Sequence, residues 1–132
     1  LSAKAIVGEL YARFAAGDLA GVGELLSPDV EWDEGDGHPY GCHRGFAAVS
    51  RNVFDRLGAE WDGMATQIEQ ILEDPLGRVV VLGRDTATNR ATGRVIDSRV
   101  AHVYSVRDGR IDSFLQFCDT AAWRAAMPTR PY

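Results

Sequence analysis

The second half of the chain sets the strongest limit on the fold. Between Met64 and Cys118, apolar residues recur with a period of two in four stretches, about Met64–Glu73, Arg78–Ala87, Val95–Val106 and Arg110–Cys118. Turn chemistry separates them: Asp74-Pro75-Leu76-Gly77, the region of Thr92-Gly93, and Asp108-Gly109. An Asp-Gly pair between two alternating runs specifies a tight hairpin, because both residues tolerate positive φ. Four strands joined in order by such turns make an antiparallel sheet. Its apolar face must be covered, and most of the chain available to cover it precedes Trp61.

That earlier part reads mainly as helices. Ile6, Val7, Leu10, Tyr11 and Phe14 fall on one helical face, with Ser2 placed to cap the start and Gly17 to stop the end. Asp18 caps a second short helix carrying Leu19, Val22, Leu25 and Leu26, which Pro28 prevents from continuing. Helices this short need a surface to pack on. Asp29–Glu34 alternates like a strand, Gly35–Gly41 is loop chemistry, and a third helix follows from Gly45 with Phe46, Val49, Val53, Phe54 and Leu57 at helical spacing. Thr120–Met127 is expected to form a last short helix, with Asp119 as its cap. The fold class is therefore α+β. A strongly curved, mainly antiparallel sheet is closed by three helices into a cone-shaped barrel, in a single domain over residues 1–132.

Composition narrows the function classes. With 45% hydrophobic and 25% charged residues, the 132-residue chain is neither disordered nor low in complexity. Its net charge of −5 gives no electrostatic reason to bind nucleic acid or an anionic membrane. No apolar run is long enough to span a bilayer and no export signal opens the sequence, so a cytoplasmic location is expected. Cys42 and Cys118 are expected to be buried or pocket-lining thiols rather than a disulfide. His38, Cys42 and His43 lack a second ligand pair downstream, and no phosphate-binding glycine pattern or nucleophile elbow occurs. Neither a metal nor a cofactor is expected.

Strand parity selects the candidate site. Glu34 shares a face with Val30 and Trp32, and a carboxylate held among apolar side chains has its pKa raised by desolvation, which makes it a better base toward a carbon acid. His102 shares a face with Val100, Tyr104 and Val106 and is either a hydrogen-bonding group in a cavity or a core histidine satisfied by a backbone carbonyl. His38, Tyr40, Cys42 and His43 stand in or beside the glycine-rich loop, as a lid or as solvent-exposed groups. Arg84 is expected to pair with Asp85 or, failing that, to anchor a substrate carboxylate. Trp32, Phe54, Trp61 and Phe114 are expected in the pocket wall and core.

The segments FAAGDLAGVGELLSPDVEW, HPY followed by RGFAAV, AHVYSVRDGRI and FCDTA, in that order and spacing, resemble the nuclear-transport-factor-2-like superfamily. The likeness is best to its SnoaL-like polyketide cyclase and ketosteroid-isomerase-like branch, and it runs from about Ile6 to Ala126. The resemblance implies a cone with a deep apolar pocket and a homodimer formed through the outer sheet face. By this similarity Glu34 takes the place of the isomerases' catalytic base, and His102 that of their hydrogen-bond-donating acid or of a polar pocket residue in the cyclases. Gln116 stands where the cyclases carry a catalytic aspartate, and it can orient a carbonyl but not take up a proton. Leu10 stands where the isomerases carry an oxyanion-binding tyrosine, with Tyr11 rotated from it by about 100° along the helix and so a poor replacement.

Two readings follow. The first is a cofactor-independent isomerase, cyclase or dehydratase moving a proton next to a carbonyl of a small to medium apolar ligand. Glu34 and His102 would be catalytic, and Gln116, Trp32, Tyr40, His38, Tyr104 and Phe114 would bind the substrate. The second is a non-catalytic ligand-binding or dimeric association module on the same fold.

Overall fold

The computed structural model describes residues 1–129. Helices α1 (Ala3–Ala15) and α2 (Leu19–Leu25) lead into strand β1 (Leu26–Asp33), then β2 (Cys42–Arg44). A continuous helical segment follows, made of α3 (Phe46–Val49), a π-helical turn (Ser50–Phe54) and α4 (Asp55–Glu60). Strands β3 (Trp61–Glu73), β4 (Arg78–Asn89), β5 (Val95–Arg107) and β6 (Arg110–Cys118) precede α5 (Thr120–Ala126). The α+β architecture read from the sequence is the one observed.

The strands form one sheet in the order β2-β1-β6-β5-β4-β3. All neighbours are antiparallel except β1 and β6, which run parallel. The sheet is curved and does not close on itself, and its edges are the short β2 and the long β3. Strand β2 falls in a stretch that carries no alternation and was expected to be loop. It forms because the turn through Gly41 (φ +72°) brings Cys42–Arg44 back beside Asp33–Glu31. Strand β3 starts at Trp61 rather than Met64, and β1 at Leu26 rather than Asp29. In both cases a bulge hides the alternation, between Asp62 and Ala65 in β3 and between Leu26 and Glu31 in β1.

The cone holds two apolar clusters. The larger packs Ile6, Val7 and Leu10 of α1 and Val22 of α2 against Val30, Trp32, Val53, Phe54, Val79, Val81, Tyr104, Ile111 and Phe114. The smaller joins Trp61, Ala87 and Ile96 to Trp123 and Ala126 of α5. Trp32, Phe54, Trp61 and Phe114 are all buried, as expected.

Helix α5 ends the described fold, and Asp119 accepts a hydrogen bond from the Ala122 backbone N–H at 3.0 Å as its N-cap. Asp119→Ala leaves that donor unsatisfied and is expected to cost about 1 kcal/mol in urea denaturation, while Asp119→Asn retains most of it. Equal losses from the two variants would exclude a capping role.

Candidate functional site

Between the two apolar clusters the inner face of the sheet carries polar side chains. β1, β6, β5 and β4 are consecutive in the sheet, and at this level they present Glu34 (just past the end of β1), Gln116, His102 and Asp85, all buried. Gln116 lies directly opposite His102 in the β5–β6 register. Gly35, at φ +98°, lets the chain leave β1 so close to β6 that a Cβ there would collide with the Gln116 carbonyl oxygen. This close approach brings Glu34 to Gln116.

The hydrogen-bond directions follow from one obligate acceptor. Gln116 Nε2 lies 3.2 Å from the Glu34 main-chain oxygen, which can only accept, and 3.5 Å from Glu34 Oε2. The amide nitrogen therefore faces Glu34, and Gln116 Oε1 faces His102 Nε2 at 2.9 Å. Nε2 must carry the proton and donate. Burial disfavours the imidazolium and lowers the His102 pKa, against the pull of Asp85 and Gln116, so the ring is neutral and Nδ1 is an acceptor. Tyr11 Oη, 2.6 Å from Nδ1, supplies that proton and accepts in turn from Tyr104 Oη at 2.8 Å. Five side chains thus form one directed chain, Tyr104→Tyr11→His102→Gln116→Glu34.

Tyr11 lies on the inward face of α1 with Leu10, as the helical spacing places it, and reaches His102. α1 lies within the curve of the sheet and packs against β3, β4 and β6. Its inward stripe is consequently wide enough for both Leu10 and Tyr11. The Tyr11 ring stacks on His102, with centroids 6.0 Å apart and planes 5° from parallel.

Glu34 accepts its hydrogen bonds in apolar company. Burial pushes its carboxyl up to about 8, and the charges of Asp85 and Asp33 add to the rise. The Trp32 indole N–H, buried without a hydrogen-bond partner, favours the anion. Trp32 stacks on Phe114 at 4.0 Å, and Phe114 in turn meets His102 and Tyr104. The structure therefore brings together Glu34, His102, Gln116, Trp32, Tyr104 and Phe114.

His38 and Tyr40 are placed differently. The loop folds under α5, where Arg124 Nε donates to the Gly37 carbonyl. His38 is buried rather than solvent-exposed, edge-on to Tyr40 and Trp123, and burial lowers its pKa to about 4 with Arg124 and Arg56 adding to the effect. Its Nδ1 accepts from the Tyr40 N–H, while Nε2 has no partner. Tyr40 donates to Glu60 at 2.8 Å, accepts from the Trp61 indole at 3.0 Å and lies under Arg56. Both residues fasten the loop to α4 and α5. His43 hydrogen-bonds the Tyr40 carbonyl, and Cys42 is exposed rather than buried. Cys118 is half-buried, and the two thiols are free.

Asp85 does not pair with Arg84. Arg84 pairs outside with Asp97 at 2.9 Å, because neighbours on a strand point to opposite faces. Asp85 points inward, with Thr66 Oγ1 donating to its Oδ1 at 2.6 Å. Strand parity gives the same placement, since Asp85 shares its face with Val79 and Val81. Among the described residues no cluster could hold a metal ion, and no helix is long and apolar enough to cross a membrane.

Comparison with known proteins identifies the family and the fold. The model of the SnoaL-like domain family matches residues 7–114. An uncharacterised protein of Mycobacterium tuberculosis (strain H37Rv) is 33% identical over 119 residues, 89% of either chain. A nuclear-transport-factor-2-like protein from Burkholderia thailandensis superposes with a TM-score of 0.90 at 36% identity, covering 98% of this chain and 99% of that one. A proposed polyketide cyclase from Pseudomonas putida shares the fold alone, with a TM-score of 0.80 at 18% identity and coverage of 97% and 99%.

The position of Glu34 has a thermodynamic signature. Its carboxyl titrates near 8 when folded and near the ordinary 4.5 when unfolded, so between those values the folded state keeps a proton that the unfolded chain has released. Its contribution to stability falls as pH rises through that window, by at most about 1.4 kcal/mol per unit. Glu34→Gln is expected to remove that slope and to gain on wild type steadily from pH 5 to pH 8 in urea titrations. A constant difference between the two proteins would show that Glu34 is not a buried acid.

Proposed function

We propose that this chain, which belongs to the SnoaL-like domain family, is a cofactor-independent enzyme that moves a proton next to the carbonyl group of a small apolar compound. What supports this most directly is the directed hydrogen-bond chain ending on Glu34, at its main-chain oxygen and its carboxyl, in a buried, aromatic-walled interior. A carboxyl raised toward neutral pH combines basicity with a substantial ionised fraction, which is what abstraction of a carbon-bound proton requires. Gln116 holds Glu34 in place, and His102 holds Gln116. Because His102 already gives its one proton to Gln116, it serves as the polarised link to Tyr11 rather than as a free donor. The stacked rings of Trp32 and Phe114 supply an apolar wall beside it, and Tyr11 is half-buried.

A second copy of the chain is the proposed partner. The outer face of the sheet exposes Leu72, Leu82, Leu115 and Phe117, the last by 58%, around a depression of about 820 Å³ lined in part by Leu82, Ala101 and Phe117. Apolar side chains grouped on one sheet face favour being covered.

Two experiments test these statements. In D2O the wild-type protein is expected to accelerate exchange of the α-protons of 2-tetralone, followed by proton NMR. Glu34→Gln is expected to lose that acceleration by about 100-fold or more while remaining folded. Equal exchange in both proteins would remove Glu34 as the base. Separately, Phe117→Asp is expected to convert a dimer into a monomer in light scattering, and a wild-type monomer would refute the second copy.

A further inference from the structure

Four buried polar atoms have no hydrogen-bond partner among the described residues: Trp32 Nε1, His38 Nε2, Trp123 Nε1 and Asp112 Oδ1. Two of them have an evident counterpart. The Trp32 indole is drawn to the Glu34 carboxyl, and Asp112 belongs to a side chain 28% exposed, whose other oxygen lies 3.8 Å from Arg107. His38 and Trp123 remain, and they touch, their rings meeting edge-on with centroids 4.6 Å apart. Both are almost wholly buried, His38 at 5% exposure and Trp123 at 2%.

The polarity of both groups is fixed. An indole nitrogen can only donate. The Tyr40 backbone N–H, 3.0 Å from His38 Nδ1, can also only donate, so Nδ1 accepts and the ring proton sits on Nε2. The ring is neutral, because burial lowers its pKa to about 4. The polar groups around the pair are engaged elsewhere. Tyr40 Oη accepts from Trp61, Glu60 accepts from Tyr40 and Arg56, and the Gly37 carbonyl accepts from Arg124. Two N–H groups in neighbouring rings, out of water, therefore lack an acceptor, and each carries its desolvation cost.

The charges acting on His38 are both positive, those of Arg124 and Arg56. Arg124 reaches the loop beside His38, 2.8 Å from the Gly37 carbonyl, and Arg56 lies 4.2 Å from the centre of the Tyr40 ring. Paired donors in a positive field select an anion, and a carboxylate offers one oxygen to each of two donors. Tyr40 and Trp61 crowd the two rings, which restricts the anion to a short one. The loop over the pair is held to α5 by the exposed Arg124–Gly37 bond, the tie that yields when an anion enters.

We propose that His38 and Trp123 form a binding site for a small carboxylate, the His38 Nε2–H and the Trp123 indole N–H each donating to one of its oxygens. The site lies beneath α5, shares no residue with the hydrogen-bond chain that ends on Glu34, and does not depend on the proton-transfer reading. Arg124 and Arg56 supply the balancing charge.

Proton–nitrogen NMR of the intact chain, labelled at tryptophan and histidine and titrated with sodium acetate at neutral pH and constant ionic strength, tests the site. The Trp123 indole proton and the His38 Nε2 proton are expected to move downfield together, saturably and with one midpoint. Acetamide, of the same shape but uncharged, is expected to move them less at equal concentration. Trp123→Phe keeps an aromatic ring without the N–H, and His38→Asn keeps an acceptor for the Tyr40 N–H. Each is expected to weaken acetate binding by about tenfold or more, the loss that follows removal of one hydrogen bond to a charged group. A Trp123 indole proton that stays upfield throughout lies on an aromatic face and overturns the site. So do separate midpoints for the two protons, or acetate binding as tight in both variants as in wild type. If the variants fail to fold, the wild-type titration decides alone.

Discussion

The main-chain oxygen of Glu34 can only accept a hydrogen bond, and the polarity of the interior follows from that restriction. It fixes which end of the Gln116 amide faces Glu34, hence which nitrogen of His102 is protonated, hence that the Tyr11 hydroxyl donates to the ring rather than accepting from it. A buried network of this kind is stable only if each member is satisfied, since an unpaired buried donor or acceptor costs about 1–3 kcal/mol. The short approach at Gly35 is what brings the acceptor to the amide, so backbone geometry at one glycine sets the electrostatics of five side chains.

The sheet supplies the rest of the arrangement. Its consecutive strands β1, β6, β5 and β4 place Glu34, Gln116, His102 and Asp85 on one face, with an apolar cluster on either side. The larger cluster fixes the cone around α1, and the smaller one holds α5 and the loop that follows Glu34. His38 and Tyr40 reinforce the smaller cluster. They tie the loop to Trp61, Trp123 and Glu60 and so keep the end of β1 in position.

Much of this was legible in the sequence. Period-two patterning between Met64 and Cys118, the Asp-Gly turn and the helical stripe of α1 gave the element order and the α+β class. Strand parity alone placed Glu34 and His102 on the inner face. What escaped was whatever depends on a broken period. Bulges concealed the starts of β1 and β3, and β2 is too short to show alternation. Asp85 was missed for a different reason. A neighbouring arginine offered an easy surface pair, although adjacent strand residues point to opposite faces and Arg84 instead meets Asp97.

The directed chain from Tyr104 to Glu34 is the claim on which the functional reading stands, and the ring nitrogens of His102 report on it directly. Nitrogen-15 NMR of histidine-labelled protein at neutral pH should show His102 as a neutral ring with the proton on Nε2 and a bare, hydrogen-bonded Nδ1. A proton on Nδ1, or a charged ring, would reverse the chain at its centre, turn Tyr11 into an acceptor, and contradict the account.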